Sequence, residues 1–141
     1  MADLSDQAFD LIQTVDKKIK NRSNKSIQEL GLTAQQGKLI KYIYQHKTQH
    51  LIQKDLAEYF NKTTASMGSM LKILEREGYI NRFIPEDNNR QKEIEVLQKG
   101  EKVIKQFDAK MDTLRKKRMQ LLTTKEFEEL SMLLGKLDEK L

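Results

Sequence analysis

The sequence has no cysteine, no tryptophan, a single proline and six glycines among its 141 residues. Without cysteine there is no disulfide framework, no zinc–cysteine site and no thiol redox switch. So little glycine and proline argues against sandwiches, barrels and loop-rich scaffolds, which need turn residues at short intervals. No apolar run approaches the roughly 18 residues that a membrane helix requires, and the N-terminus lacks a secretory h-region. A cytoplasmic protein with no membrane partner is expected. There is no Gly-rich phosphate loop, nucleophile elbow or paired-carboxylate setting, so neither enzymatic activity nor a cofactor is expected. The two histidines, His46 and His50, are four apart and could share a helix face as a metal pair does. With no cysteine and no run of carboxylates beside them, they read as surface residues near a helix end, and no metal site is expected.

Charge, by contrast, is abundant: 33% of residues are charged and 38% are hydrophobic, against about 25% charged in an average soluble domain. Such a composition builds a core through long amphipathic helices. The net charge is +5, which suits nucleic acid or another anionic surface without requiring one. Its placement says more. Residues 31–50 contain three lysines and no acid, and residues 60–74 contain two lysines and no acid.

Six helical stretches and one hairpin are expected. In residues 4–30, Leu4, Ala8, Leu11, Ile12, Val15 and Ile19 recur at three- and four-residue spacing. The stripe fades into the polar stretch 20–25, where fraying or a kink is expected, and Gly31 supplies a stop. Thr33-Ala34-Gln35-Gln36 is a capping box opening a second helix with Leu39, Ile40, Ile43 and Tyr44 inward. A third helix spans 53–60, with Leu56, Ala57 and Phe60 inward, and a fourth spans 64–77, closed by Gly78. The period then drops to two: strands at 79–84 and 93–96 flank the polar loop 85–91. Beyond the hairpin, Val103, Ile104, Phe107, Met111 and Leu114 form another stripe, which runs into the basic stretch Arg115-Lys116-Lys117-Arg118. Thr123-Thr124-Lys125-Glu126 is a second capping box. The final helix carries Leu130, Leu133, Leu134, Leu137 and Leu141 at a spacing that suits a partner helix.

Helix, three-residue turn, helix and hairpin is the order of a winged helix-turn-helix. The fold expected is therefore mainly α with a small β-hairpin wing. In the fourth helix Met67, Met70, Leu71 and Leu74 fall on one side, while Ala65, Ser69, Lys72 and Arg76 fall on the other, flanked by Ser66 and Gly68. That second face has no acid and mostly short side chains, which suits a major groove about 12 Å wide. Thr63, Thr64, Ala65 and Ser66 form a helix start that can offer backbone N–H groups to phosphate. At the hairpin tip, Asn88, Asn89, Arg90 and Lys92 form a second candidate DNA contact, since an arginine there can enter a minor groove.

Leu32-Thr33-Ala34-Gln35-Gln36, Asp55-Leu56-Ala57, the run Leu74-Glu75-Arg76-Glu77-Gly78-Tyr79-Ile80-Asn81-Arg82, and Leu122-Thr123-Thr124-Lys125-Glu126 together resemble the MarR family of bacterial transcriptional regulators. The resemblance extends over nearly the whole chain and implies a single domain, 1–141. In it, 4–30 and 101–141 are N- and C-terminal dimerisation helices around a winged helix-turn-helix at 33–100. It further implies a homodimer reading a pseudo-palindromic operator on double-stranded DNA, usually as a repressor released by a small aromatic effector. By the same resemblance, Thr64, Ala65, Ser66, Ser69 and Lys72 are recognition-helix positions and Arg90 is the wing arginine.

The sequence also departs from the family pattern. Asn88 stands at the wing's usual aspartate, and Val96-Leu97 replaces the usual Leu-Thr, removing a threonine N-cap worth about 1 kcal/mol. Ile52 replaces a hydroxyl cap before the third helix. The recognition helix is less basic than is typical, so weaker or more salt-sensitive binding is expected. Absent cysteine excludes the family's peroxide-sensing chemistry, and two histidines are too few for its zinc-sensing branch. These departures motivate the alternative function, a winged-helix protein-interaction module that has lost specific DNA binding.

Overall fold

Four of the six α-helices among the described residues begin at a side chain that caps them: Asp3, Thr33, Thr63 and Thr123. In the computed structural model, which describes residues 3–86 and 91–141, Thr33 Oγ1 accepts the Gln36 amide at 3.2 Å, and Gln36 Oε1 accepts the Thr33 amide at 2.9 Å. Thr123 and Glu126 repeat this reciprocal pair at 3.1 and 2.9 Å. The order among the described residues is α1 (Leu4–Ser26), α2 (Ala34–Gln45), α3 (Gln53–Tyr59), α4 (Thr64–Arg76), β1 (Ile80–Phe83), β2 (Glu93–Val96), α5 (Gln98–Arg118) and α6 (Thr124–Lys140), with 3-10 turns at Gln28–Leu30 and Lys47–Gln49. The fold is mainly α with a β-hairpin wing.

The first helix departs from expectation in two ways. It ends at Ser26, and residues 28–30 form a separate 3-10 turn before Gly31, whose φ of 75° closes it. It also runs through the polar stretch 20–25 without a break, because those side chains have work to do. The buried Ser23 hydroxyl accepts from the Arg118 guanidinium at 2.9 Å, and Asn24 Oδ1 accepts the Ala34 amide at 2.8 Å. Polar residues that look like a frayed end thus tie α1 to α5 and to the start of α2.

The main core gathers Leu39, Ile40, Ile43, Leu56, Met67, Leu71, Leu74, Ile80 and Ile94, with Val103 and Ile104 of α5 across from them. Tyr44, Phe60 and Met70, expected inside, are half-buried at its margin. A smaller cluster of Ile27, Ala34 and Phe107 joins α1, α2 and α5. Here α2 and α5 approach closely: a Cβ on Gly37 would lie 2.4 Å from Phe107 Cε2. Gly37→Ala should therefore lower stability by about 1 kcal/mol, the overpacking outweighing the helix propensity that alanine adds. Denaturant unfolding measures this, and a variant more stable than wild type would show that the Phe107 ring moves aside freely.

β1 and β2 pair antiparallel with Ile80 opposite Val96 and Phe83 opposite Glu93. The hairpin is not confined to two strands. Ile52 bridges to Glu93, and the Ile94 amide donates to the Leu51 carbonyl at 3.1 Å, so the α2–α3 connection lies along β2. α5 begins at Leu97 without a side-chain cap, as its sequence requires.

α1 and α6 differ from the rest. α6 has no buried residue, and Leu130, Leu133, Leu134 and Leu141 of its stripe are exposed, Leu133 by 56%, with Leu137 half-buried. On α1, Leu4, Leu11, Val15 and Ile19 are exposed as well. No helix of the described residues is long and apolar enough to cross a membrane.

Candidate nucleic-acid interface

Both ends of α4 are fixed by chain geometry. Before it, Asn61 takes up the left-handed region (φ 52°) and the Lys62 amide closes on the Ala57 carbonyl at 2.9 Å, ending α3. After it, Gly78 does the same (φ 83°), with the Tyr79 amide on the Leu74 carbonyl at 3.0 Å. Each is a Schellman closure, which satisfies helix-end carbonyls and sets the direction of the outgoing chain. At its start, Thr63 Oγ1 accepts the Ser66 amide at 3.0 Å.

Met67, Leu71 and Leu74 are buried, whereas Thr63, Thr64, Ala65, Ser66, Ser69 and Lys72 are all exposed. The sequence-derived face is therefore an outward face, and Arg76 continues it, paired with Glu77 at 3.6 Å. The Ser69 hydroxyl donates to the Ala65 carbonyl at 3.2 Å, which leaves its oxygen free to accept. Lys92, immediately before β2, is also exposed. Asn88, Asn89 and Arg90 lie outside the described residues.

Two residues to which the sequence assigned no role hold this surface in place. Glu75, on α4, reaches the hairpin: its Oε1 accepts from the Arg82 guanidinium at 3.2 Å and its Oε2 accepts the Arg82 backbone amide at 3.1 Å. The side-chain hydrogen bond from Arg82 holds the Glu75 carboxyl below its ordinary value of 4.5, against partial burial, which pushes the other way. Gln53, the first residue of α3, donates through Nε2 to the Thr64 carbonyl at 2.8 Å. Glu75 and Arg82 stand seven apart across a helix end and a turn, a spacing with no periodic signature. Gln53 and Thr64 are likewise joined only through the turn between their helices.

The two histidines do not converge. His46 Nδ1 meets the Tyr42 carbonyl at 2.8 Å, while His50 Nδ1 meets Glu93 Oε2 at 3.1 Å, where it ties the α2–α3 connection to β2. Among the described residues no three His, Cys, Asp or Glu side chains gather as metal ligands would. In the basic stretch that ends α5, Arg118 is engaged with Ser23 and Arg115 with Asp112.

Comparison with known proteins gives the same architecture. The profile of the MarR family matches residues 32–92. A Clostridium acetobutylicum protein assigned to the MarR family of transcriptional regulators is 37% identical, with a TM-score of 0.64 over 96% of this chain and 98% of that one. The MepR–DNA complex of S. aureus superposes with a TM-score of 0.80 at 23% identity, covering 92% of this chain and 93% of that one. The transcription regulator MarR from Oenococcus oeni gives 0.73 at 20% identity, over 94% and 98%. These last two bear on the fold alone. No curated protein matches the sequence.

Proposed function

The chain belongs to the MarR family, and from that premise we propose that it is a homodimeric transcriptional repressor of the cytoplasm that binds a pseudo-palindromic operator and is released by a small aromatic effector. The observation that carries DNA binding is the outward face of α4: no acid, short side chains at Ala65, Ser66 and Ser69, and one projecting cation at Lys72. Phosphate repels carboxylates and a groove penalises bulk, so this face meets both requirements of a duplex. Thr63 and Thr64 bring the amide end of the helix to the backbone. Lys92 and the wing residues Asn88, Asn89 and Arg90 extend the contact to the flanking groove.

Dimerisation rests on the apolar faces of α1 and α6. Contiguous exposed apolar surface of this kind marks an interface, and each leucine removed from water there contributes about 2 kcal/mol. Residues 4–30 and 101–141 form the dimerisation helices, and 33–100 the reading module. A two-fold pair presents its recognition helices about 34 Å apart, one turn of the duplex.

Selection of bound sequences from a random duplex pool at low salt tests the reading. Enrichment of an inverted repeat is expected, together with a retarded band on DNA upstream of the chain's own gene. A pool that remains unenriched would reject DNA binding and favour a winged-helix module that docks a protein.

A further inference from the structure

Gly68 sits in the middle of α4, where a glycine weakens a helix relative to alanine, yet its backbone does not need one: among the described residues only Gly31 and Gly78 are glycines with positive φ. Its neighbour explains it. A Cβ built on Gly68 would meet Gln53 Nε2 at 2.7 Å, Gln53 Cδ at 3.4 Å and Gln53 Oε1 at 3.5 Å, these being the three nearest heavy atoms. The absent side chain leaves a notch in α4, and the Gln53 amide fills it to reach the Thr64 carbonyl at 2.8 Å. That carbonyl belongs to the first turn of α4, and Gln53 begins α3. One hydrogen bond therefore joins the starts of the two helices in the helix-turn-helix.

We propose that Gln53 is a positioning residue for DNA reading, held by the notch at Gly68 and fixing the first turn of α4, with Thr64, Ala65 and Ser66, against α3. This rests on the reading of α4 as the element that enters the groove. Base and phosphate contacts tolerate displacements of only about 0.5 Å, and the Gln53 bond adds a third restraint on the helix start to the Asn61 turn and the buried Met67 side chain. The glycine is thus retained for access: it gives up helix propensity so that a neighbour's amide can lock the reading turn. Each bond occurs twice in a dimer bound to its operator, so its loss is felt twice.

Binding that falls while stability is held distinguishes this role from a structural one. Gly68→Ala, Gln53→Ala and the double variant are compared with wild type by thermal melting and by fluorescence anisotropy on the duplex that wild type selects. Gly68→Ala displaces only the flexible end of Gln53, and the helix propensity it adds offsets the hydrogen bond it removes, so its melting temperature should stay within about 3 °C of wild type. Its affinity should fall about tenfold, because two reading turns no longer held must be ordered on binding, at about 0.7 kcal/mol each. Gln53→Ala should lose affinity to the same degree and melt about 3 °C below wild type, since nothing offsets its lost bond. The double variant should bind no more weakly than either single one, because both changes break the same bond. Single variants that bind as wild type does, or losses that multiply in the double variant, would overturn the positioning role while leaving DNA binding intact. A Gly68→Ala chain that melts more than about 5 °C below wild type would show that the amide is not displaceable and overturn it also. Failure of wild type to select any duplex would instead reject DNA binding itself, and the positioning role with it.

Discussion

Reversing the charge at Lys72 (Lys72→Glu) should weaken binding to the selected duplex at least about 100-fold, since two like-charge juxtapositions at about 1.4 kcal/mol or more each enter one dimeric complex. The melting temperature should stay within about 2 °C of wild type, as for surface substitutions that break no buried contact. Lys72 is exposed and makes no ion pair among the described residues, so the folded chain loses nothing by the change. Titrations by anisotropy at two salt concentrations measure the loss. A fall smaller than about threefold, well short of that electrostatic penalty, would mean that the outward face of α4 is not the one that meets DNA.

The second large effect concerns the bond between α4 and the hairpin. Glu75→Ala should lower stability by about 2.5 kcal/mol. That places it just below buried-pair losses of about 3–5 kcal/mol, because the carboxylate is 36% exposed and partly screened while the guanidinium left behind is only 18% exposed. The pair also gives stability a pH dependence whose sign is fixed. The Glu75 carboxyl is held below 4.5 in the folded chain, so its stabilisation is fully present above the unfolded value and is lost as pH falls through the lower, folded value. Glu75→Gln should lack this component of the acid limb, and denaturant melts between neutral and acid pH would reveal it. Identical acid limbs in wild type and Glu75→Gln would show that the carboxylate does not carry the coupling.

What sequence alone disclosed and what it hid have a common physical basis. Periodicity and local capping depend on residues close to one another in the chain, and these were readable: the boxes at Thr33 and Thr123, the stop at Gly78, the buried side of α4 with Met67, Leu71 and Leu74, and therefore its outward side. The seven-residue reach of Glu75 to Arg82, the eleven-residue reach of Gln53 to Thr64 and the alignment of Leu51-Ile52 with β2 depend on tertiary placement, for which no spacing rule exists. The stretch 20–25 illustrates the same point from the other side. Its polarity reads as a weak helix until Arg118, ninety-five residues beyond Ser23, supplies the partner.

Pairing along the hairpin has a further consequence. One margin of β2 is occupied by Leu51 and Ile52, and on the open side of β1 the Arg82 amide is already given to Glu75. Strand margins with unspent N–H and C=O groups are templates on which other chains add, the usual start of cross-β aggregation. Here a carboxylate and a stretch of connecting loop act as stoppers at either flank. Concentrated solutions of wild type should therefore remain free of fibrillar species, whereas removing the carboxylate opens one flank and invites slow, seedable assembly.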